Sequence, residues 1–332
     1  MAARAVILGC SGPTIGPEER RFFTSADPWG FILFRRNIES PEQVARLTAD
    51  LRAAVGRDAP ILIDQEGGRV ARLRAPAWRE WLPAFDECAR LPGIGLRVRA
   101  MHLRYRLIAA ELRALGIDVN CAPVLDLARS ETHGVLRNRC YGDDPVEVAA
   151  IGRAVAEGLL AGGVLPVMKH MPGQGRAGLD SHLALPVVSA TRAELEADFA
   201  PFRALAELPM AMTGHVVYAA LDPEAPATLS APMVRLMRGE IGFDGLLMTD
   251  DVSMRALSGD FGDRVARALG AGCDVILHCN GKPEEMAPVV AATPRLAGRS
   301  LARAEAALTL RGGEADAGEA EAELATLGRS HA

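Results

Sequence analysis

The stretch Val164-Leu165-Pro166-Val167-Met168-Lys169-His170 is a short apolar run that ends in two basic residues. A run of this kind is typical of a strand that is buried on both faces. Eight such runs recur along the chain, and most are followed by a loop and a helical pattern. They are residues 5–8, 30–34, 59–63, 119–124, 164–168, 209–213, 245–248 and 273–277. This alternation of strand and helix predicts a parallel sheet.

Nearly every run stops at a charged or imidazole side chain. These residues are Arg35, Arg36, Asp64, Asp126, Lys169, His170, His215, Asp250, Asp251 and His278. In a (β/α)8 barrel the carboxyl ends of all eight strands meet on one face, where the active site is built. We therefore predict a single-domain α/β protein, a (β/α)8 TIM barrel over residues 1–332 with its active site at the C-terminal ends of the strands. A surface helix is expected at about residues 314–328.

The bulk composition narrows the range of partners. With 49% hydrophobic and 24% charged residues and a formal net charge of −5, the chain has no basic excess for a nucleic acid. Its first apolar run is too short for a signal peptide or a membrane span, so we expect a cytoplasmic protein without a membrane partner. The six cysteines form no Cys-x-x-Cys pair, which indicates neither disulfides nor a zinc site.

A carboxylate follows the third run directly, in Ile63-Asp64-Gln65-Glu66-Gly67-Gly68. Because the two glycines let the backbone turn sharply, Asp64 could accept hydrogen bonds from the hydroxyl groups of a ligand. A helix N-cap, or an ion pair with Arg69 or Arg72, explains the same carboxylate equally well.

Two adjacent carboxylates, Asp250 and Asp251, follow the seventh run. Since neighbouring strand residues point in opposite directions, one should face the barrel mouth while the other bonds to local backbone or caps the next helix. The strand-end position favours a catalytic role for one of them over a pair of exposed caps.

The segment Asp180-Ser181-His182 comes after Lys169-His170 and a loop rich in proline and glycine. A carboxylate beside a histidine can bond to one ring nitrogen and raise the basicity of the other, which suits general acid/base chemistry. A lone Asp-x-His is more often a solvated loop pair, but the basic residues and the flexible loop before it favour a catalytic loop that closes over a ligand.

Several motifs in register along most of the chain resemble glycoside hydrolase family 3, and more narrowly its single-domain bacterial β-N-acetylglucosaminidases (β-hexosaminidases) of peptidoglycan recycling. The motifs are Asp64-Gln65-Glu66-Gly67-Gly68-Arg69, Asn120-Cys121-Ala122-Pro123-Val124-Leu125-Asp126, Arg139-Cys140-Tyr141-Gly142, Lys169-His170-Met171-Pro172-Gly173, Asp180-Ser181-His182, Thr249-Asp250-Asp251 and His278-Cys279-Asn280-Gly281. One departure is Gln174, where the family more often has a histidine.

The resemblance implies a role for each matching residue. Asp250 would be the nucleophile that forms a covalent glycosyl-enzyme intermediate, and His182, paired with Asp180, would be the general acid/base. The residues that would bind the hydroxyl and acetamido groups of N-acetylglucosamine are Asp64, Arg72, Arg139, Lys169 and His170. A histidine would then replace the second carboxylic acid of the usual retaining scheme. No metal or cofactor is implied.

The resemblance also implies a substrate. The enzyme would remove a non-reducing terminal β-linked N-acetylglucosamine, from a small muropeptide or amino sugar such as N-acetylglucosaminyl-1,6-anhydro-N-acetylmuramic acid, with or without its peptide. We expect a monomer. By strand-end position, Arg35, Arg36 or Arg139 could contact a lactyl or peptide carboxylate.

Three alternative functions are compatible with the same sequence. A β-glucosidase of the same family is the nearest, and parallel hydrolysis of gluco and N-acetylglucosamino aryl glycosides separates the two. A Schiff-base aldolase would use Lys169 at its strand end and would be trapped by borohydride. A non-enzymatic sugar-binding barrel would bind a ligand without turnover.

Overall fold

The predicted (β/α)8 barrel is confirmed. The computed structural model describes residues 2–179, 184–312 and 317–330, and within them eight parallel strands close into a barrel. Its strands are β1 (Arg4–Gly9), β2 (Pro28–Leu33), β3 (Ile61–Ile63), β4 (Val119–Asn120), β5 (Leu165–Met171), β7 (Met210–Thr213), β9 (Leu246–Asp251) and β10 (Val275–His278). Each pairs with the next barrel strand along the chain, and β10 pairs with β1. Two short strands, β6 (Val187–Val188) and β8 (Val217–Tyr218), form a separate sheet.

Helices occupy most of the connections between barrel strands. They are α1 (Pro17–Ala26), α2 (Pro41–Val55), α3 (Ala84–Arg90), α4 (Ile94–Ala114), α5 (Gly134–Arg137), α6 (Pro145–Ala161), α7 (Arg192–Ala204), α8 (Ala231–Gly239), α9 (Phe261–Ala271), α10 (Pro283–Ala292), α11 (Gly298–Leu308) and α12 (Gly318–Ser330). Several begin where side chains cap the free N–H groups of the first turn: Ser40 on α2, Asp144 on α6 and Thr191 on α7. None of the described helices is long and apolar enough to cross a membrane.

Alternation along the strands divides the core into two layers. One apolar cluster fills the barrel and includes Leu62, Leu165, Val167, Leu246 and Met248, among others. The second apolar cluster lies between the sheet and the helices, and it contains the alternate residues of the same strands, which point away from the barrel interior. Every second residue of a strand therefore points into the barrel, as the period of two requires.

The two ends of the barrel differ. At the amino end of the strands, α11 covers the opening, because Ala304 and Ala307 on this helix pack with Leu296 into the interior cluster. At the carboxyl end, β5 and β9 run on to Met171 and Asp251, beyond the apolar runs that predicted them. Lys169 and His170 therefore lie within β5, and Asp250 lies within β9, so barrel strands support the polar residues at the carboxyl end.

Candidate active site

The alternation of the strands selects which polar residues enter the barrel mouth. On β5, Leu165 and Val167 face the interior, and Lys169 comes next on that face. Counted in the same steps of two residues, Asp64 comes next after the interior residue Leu62, and Asp250 comes next after the interior residues Leu246 and Met248. Three charged side chains are thus aimed at the same end of the barrel by the apolar pattern below them.

Lys169 is the centre of a buried ion network. Its Nζ lies 2.7 Å from Asp64 Oδ1 and 2.6 Å from Glu66 Oε1, and its side chain is only 2% exposed. Arg72 donates to the other oxygen of Asp64 at 3.0 Å. Arg139 binds both oxygens of Glu66, through Nε at 2.9 Å and Nη2 at 2.8 Å. Such a two-pronged contact fixes the plane of the guanidinium as well as its position.

The network keeps its members charged at neutral pH. Burial alone would lower the pKa of Lys169, but the carboxylates of Asp64 and Glu66 outweigh it and raise that pKa above its ordinary value. Burial alone would raise the pKa of Glu66, yet Arg139 and Lys169 lower it to about 2. The pKa of Asp64 is lowered in the same way, because Lys169 and Arg72 outweigh its burial. A Lys169 held as an ammonium ion is a hydrogen-bond donor and not an amine nucleophile.

His170 is oriented by a carboxylate that is fully buried. Asp126 Oδ2 lies 2.7 Å from His170 Nδ1, so this nitrogen carries the ring hydrogen and donates a hydrogen bond to the carboxylate. The other ring nitrogen, Nε2, lies 3.5 Å from Arg139 Nη2. Oδ1 of Asp126 also accepts from the backbone N–H of Gln174, at 2.8 Å. One carboxylate therefore aligns the imidazole and anchors the start of the following loop.

Asp250 and Asp251 have different surroundings. The carboxylate of Asp251 accepts from the Ser253 N–H at 2.9 Å, the Ser253 hydroxyl at 2.7 Å and the Cys279 N–H at 3.1 Å. Asp250 Oδ1 accepts from the Asp251 N–H at 2.7 Å, and the Asp250 N–H donates to Thr213 Oγ1 at 3.3 Å. Asp251 is thus occupied with local structure, whereas Asp250 lies on the interior face of β9.

A cavity of about 330 Å³ opens at this end of the barrel. Six of the eight predicted site residues line it together: Asp64, Arg72, Arg139, Lys169, His170 and Asp250. Asp180 and His182 lie outside the described residues. Within the described ranges, no group of three or more His, Cys, Asp or Glu side chains is arranged to hold a metal ion. The cavity offers charged donors and acceptors at fixed positions, which suits a ligand with several hydroxyl groups.

Two residues of the network were not among the predicted site residues. Glu66 orients Arg139 and Lys169, and Asp126 orients His170. The signal in the sequence was an excess of carboxylates near the strand ends, but nothing local indicates which cation each one binds. Gln174 is buried, and it bonds to Asp126 through its backbone N–H, so that contact does not depend on its side chain.

A larger cavity, of about 800 Å³, lies at the opposite end of the barrel, beside α11 and the starts of β7 and β9. Its two acidic residues are already paired, Asp244 with Arg299 and Arg303, and Glu207 with Arg153. In (β/α)8 enzymes catalysis takes place at the carboxyl ends of the strands, so the smaller cavity is the candidate active site.

Comparison with known proteins places this geometry among glycosidases. Residues 18–303 match the model of the glycosyl hydrolase family 3 N-terminal domain. A β-hexosaminidase of Alkalilimnicola ehrlichii is 39% identical over 304 residues, which cover 87% of this chain and 84% of that protein. A β-hexosaminidase of Pseudomonas aeruginosa is 37% identical over 84% of this chain and 83% of its own length.

Solved structures are similar over the full length. NagZ from Neisseria gonorrhoeae in complex with N-trifluoroacetyl-D-glucosamine has a TM-score of 0.88 and 30% identity, with 100% of this chain and 99% of that chain covered. A family 3 β-N-acetylglucosaminidase from Paenibacillus has a TM-score of 0.83 and 32% identity, covering 97% of this chain and 66% of that chain. Because the family model and these relatives each match most of the chain, the protein belongs to glycosyl hydrolase family 3.

Proposed function

We propose that the protein is a retaining β-N-acetylhexosaminidase that removes a terminal β-linked N-acetylglucosamine. The observation that carries this proposal is the cavity itself, in which Asp250 is brought together with Asp64, Arg72, Arg139 and Lys169. Relatives named β-hexosaminidase, and a similar NagZ structure that holds an N-acylated glucosamine, support the choice of sugar. The whole chain would act as one catalytic domain.

Sugar binding would use the ion network at the base of the cavity. Asp64 has an acceptor capacity suited to hydroxyl groups, while Arg72, Arg139 and Lys169 supply donors for hydroxyl and acetamido oxygens. The charges are already fixed by one another, so little reorganisation is needed when the sugar enters. His170 would present its Nε2, because Asp126 holds the proton on Nδ1.

Catalysis would proceed in two steps. In the first, the Asp250 carboxylate attacks the anomeric carbon as the glycosidic oxygen leaves with a proton from His182, which forms a glycosyl ester. In the second, His182 removes a proton from water, and the water displaces Asp250 with net retention of configuration. Asp180 would raise the basicity of His182 through a hydrogen bond. In this scheme the substrate is N-acetylglucosaminyl-1,6-anhydro-N-acetylmuramic acid, with or without its peptide.

The raised pKa of Lys169 does not favour a Schiff-base aldolase. An aldolase lysine must lose its proton to attack a carbonyl, whereas Asp64 and Glu66 stabilise the ammonium form here. The alternative within the family is a β-glucosidase. Its substrate carries a hydroxyl group at C2 of the sugar, where N-acetylglucosamine carries an acetamido group.

Paired aryl glycosides test the proposed sugar. We expect kcat/KM for p-nitrophenyl N-acetyl-β-D-glucosaminide to exceed that for p-nitrophenyl β-D-glucoside by roughly 100-fold or more, because donors that face the acetamido group are left unpaired with glucose. Release of p-nitrophenol is followed at neutral pH. Equal rates, or a preference for the glucoside, would contradict the proposal, and absence of any turnover with retained sugar binding would indicate a binding protein.

Removal of His182 tests the acid/base assignment. With p-nitrophenyl N-acetyl-β-D-glucosaminide, His182→Ala should give a burst of p-nitrophenol followed by slow turnover, because this leaving group needs no acid whereas water needs a base. Azide needs no base either, so it should accelerate turnover and yield the β-glycosyl azide. His102→Ala, on α4 outside the cavity, is the matched control. Turnover without a burst and without azide acceleration would refute the role.

A further inference from the structure

We propose that Thr213, His215 and Thr228 are positioning residues that hold the backbone of Asp250 and Asp251 in the orientation that ester formation requires. The inference rests on the proposed function, because it takes Asp250 as the nucleophile. The three side chains are fully buried, and none of them lines the cavity. They therefore act on the reaction through the backbone of the nucleophile and not through contact with the sugar.

The regular ladder between β7 and β9 stops short of Asp250. Its last paired residues are Met212 and Met248, two positions before the nucleophile. Beyond this point, the backbone N–H of Asp250 donates to a side chain, the hydroxyl oxygen of Thr213, at 3.3 Å. On the β7 side, a side chain therefore holds the backbone of the nucleophile, whereas sheet hydrogen bonds hold the strand residues below it.

A chain of hydrogen bonds continues from Thr213 and returns to the next residue of β9. Oγ1 of Thr213 lies 2.8 Å from Oγ1 of Thr228, which lies 2.8 Å from Nδ1 of His215. The other ring nitrogen of His215, Nε2, lies 2.9 Å from the carbonyl oxygen of Asp251. The three side chains thus link the N–H of Asp250 to the C=O of Asp251. We call this arrangement the backbone clamp.

The contacts assign a hydrogen to each bond of the backbone clamp. A carbonyl oxygen can only accept, so Nε2 of His215 carries a hydrogen, and in the imidazole form Nδ1 is an acceptor. The hydroxyl of Thr228 donates to Nδ1 at 2.8 Å, a shorter contact than the 3.2 Å to the Gly214 carbonyl. The hydroxyl of Thr213 then donates to Thr228 and accepts from Asp250. Each donor has an acceptor, which is the condition under which a buried polar network makes its surroundings rigid.

The backbone clamp completes the support of this strand end. On the opposite side, Asp251 pairs with Leu277 of β10. The end of β9 is therefore held from both sides, and the side chain of Asp250 leaves a fixed backbone. A shift of a reacting group by about 1 Å can slow a reaction roughly 100-fold. Removing the Thr213 hydroxyl would leave a buried N–H without its acceptor and release the β7 side of the nucleophile.

The rate of ester formation tests the backbone clamp. With 5-fluoro-N-acetylglucosaminyl fluoride, the first-order rate constant of inactivation measures ester formation, and the half-saturating concentration measures binding. Thr213→Val keeps the shape of the side chain but removes the hydroxyl. We expect it to lower the rate constant roughly 10- to 100-fold and to change the half-saturating concentration less than about twofold, because the sugar-binding residues are unchanged. A first-order rate constant does not depend on how much of the enzyme is folded, so a loss of stability alone would not move it.

Further variants separate the hydroxyl from a general effect of substitution. Thr213→Ser retains the hydroxyl and should keep the rate constant within about threefold of wild type. Thr228→Val interrupts the backbone clamp one bond away and should also slow ester formation. Because both valine substitutions open the same network, the double variant should lose less than the product of the two single losses. The matched control is Thr48→Val, a buried threonine on α2 that binds the Leu115 carbonyl, which should react at the wild-type rate.

Three outcomes would overturn the backbone clamp. They are a wild-type rate constant in Thr213→Val, equal losses in Thr213→Val and Thr213→Ser, and single losses that multiply in the double variant. If Thr213→Val does not fold, the comparison of Thr228→Val with Thr228→Ser decides in the same way. A wild-type enzyme that neither reacts with the fluoride nor hydrolyses p-nitrophenyl N-acetyl-β-D-glucosaminide would instead overturn the proposed function.

Discussion

Replacing Asp250 with alanine is expected to reduce kcat for p-nitrophenyl N-acetyl-β-D-glucosaminide by at least about 10⁴-fold, because no other group would form the glycosyl ester. The melting temperature should change little in comparison, since the interior face of β9 retains its apolar residues below this position. Initial rates at saturating substrate, together with thermal unfolding, measure the two effects. An Asp250→Ala enzyme with wild-type turnover would refute the assignment.

Asp251→Ala provides the matched comparison for Asp250. Its carboxylate accepts hydrogen bonds from Ser253 and Cys279, so its loss should lower the free energy of unfolding by about 1–3 kcal/mol. Incubation with 5-fluoro-N-acetylglucosaminyl fluoride and peptide mass spectrometry then locates the ester. A label on the peptide that contains Asp250, in wild type and in Asp251→Ala but not in Asp250→Ala, would identify the nucleophile. A label elsewhere would contradict it.

Replacing Lys169 with methionine should lower the free energy of unfolding by about 3–5 kcal/mol at pH 7, as expected when one partner of a buried ion cluster is removed. The change leaves the carboxylates of Asp64 and Glu66 close together without the ammonium that separates them. Urea unfolding measures the loss, and KM for the aryl glycoside should rise as well. Adding Asp64→Asn should restore part of the stability, since it removes the like charge. Additive losses in the double variant would contradict this explanation.

The pH dependence of this loss follows from the direction of the pKa shifts. The pKa of Glu66 lies at about 2 in the folded protein, below its ordinary value of 4.5. Its charged form therefore stabilises the wild type above pH 4.5, and that stabilisation is lost as the pH falls through about 2. Without Lys169, the carboxylates take up protons at higher pH, which relieves their repulsion. The stability difference between wild type and Lys169→Met should therefore shrink between pH 7 and pH 4.

Much of the fold could be predicted because its signals are local. Each barrel strand corresponds to one apolar run of four to six residues, and the caps of α2 and α7 lie within three residues of the groups they bind. The strand prediction was least accurate for residues 119–124, of which only Val119–Asn120 forms a regular strand. Pro123 has no N–H to donate, so the sheet ladder is interrupted there.

The candidate site could be predicted only in part. The positions of Asp64, Lys169 and Asp250 follow from the same period of two that places apolar residues inside the barrel. The orienting contacts do not follow from any local pattern. Glu66 binds Arg139 across 73 residues, and Asp126 binds His170 across 44 residues.

By itself, the sequence determined that this chain forms a parallel barrel with charged residues at its carboxyl end, because strand length, alternation and capping depend on neighbouring residues. Only the tertiary structure decided which cation binds which carboxylate. Closure of the barrel brings distant strand ends within hydrogen-bond distance, and at that distance charge and geometry select the pairs.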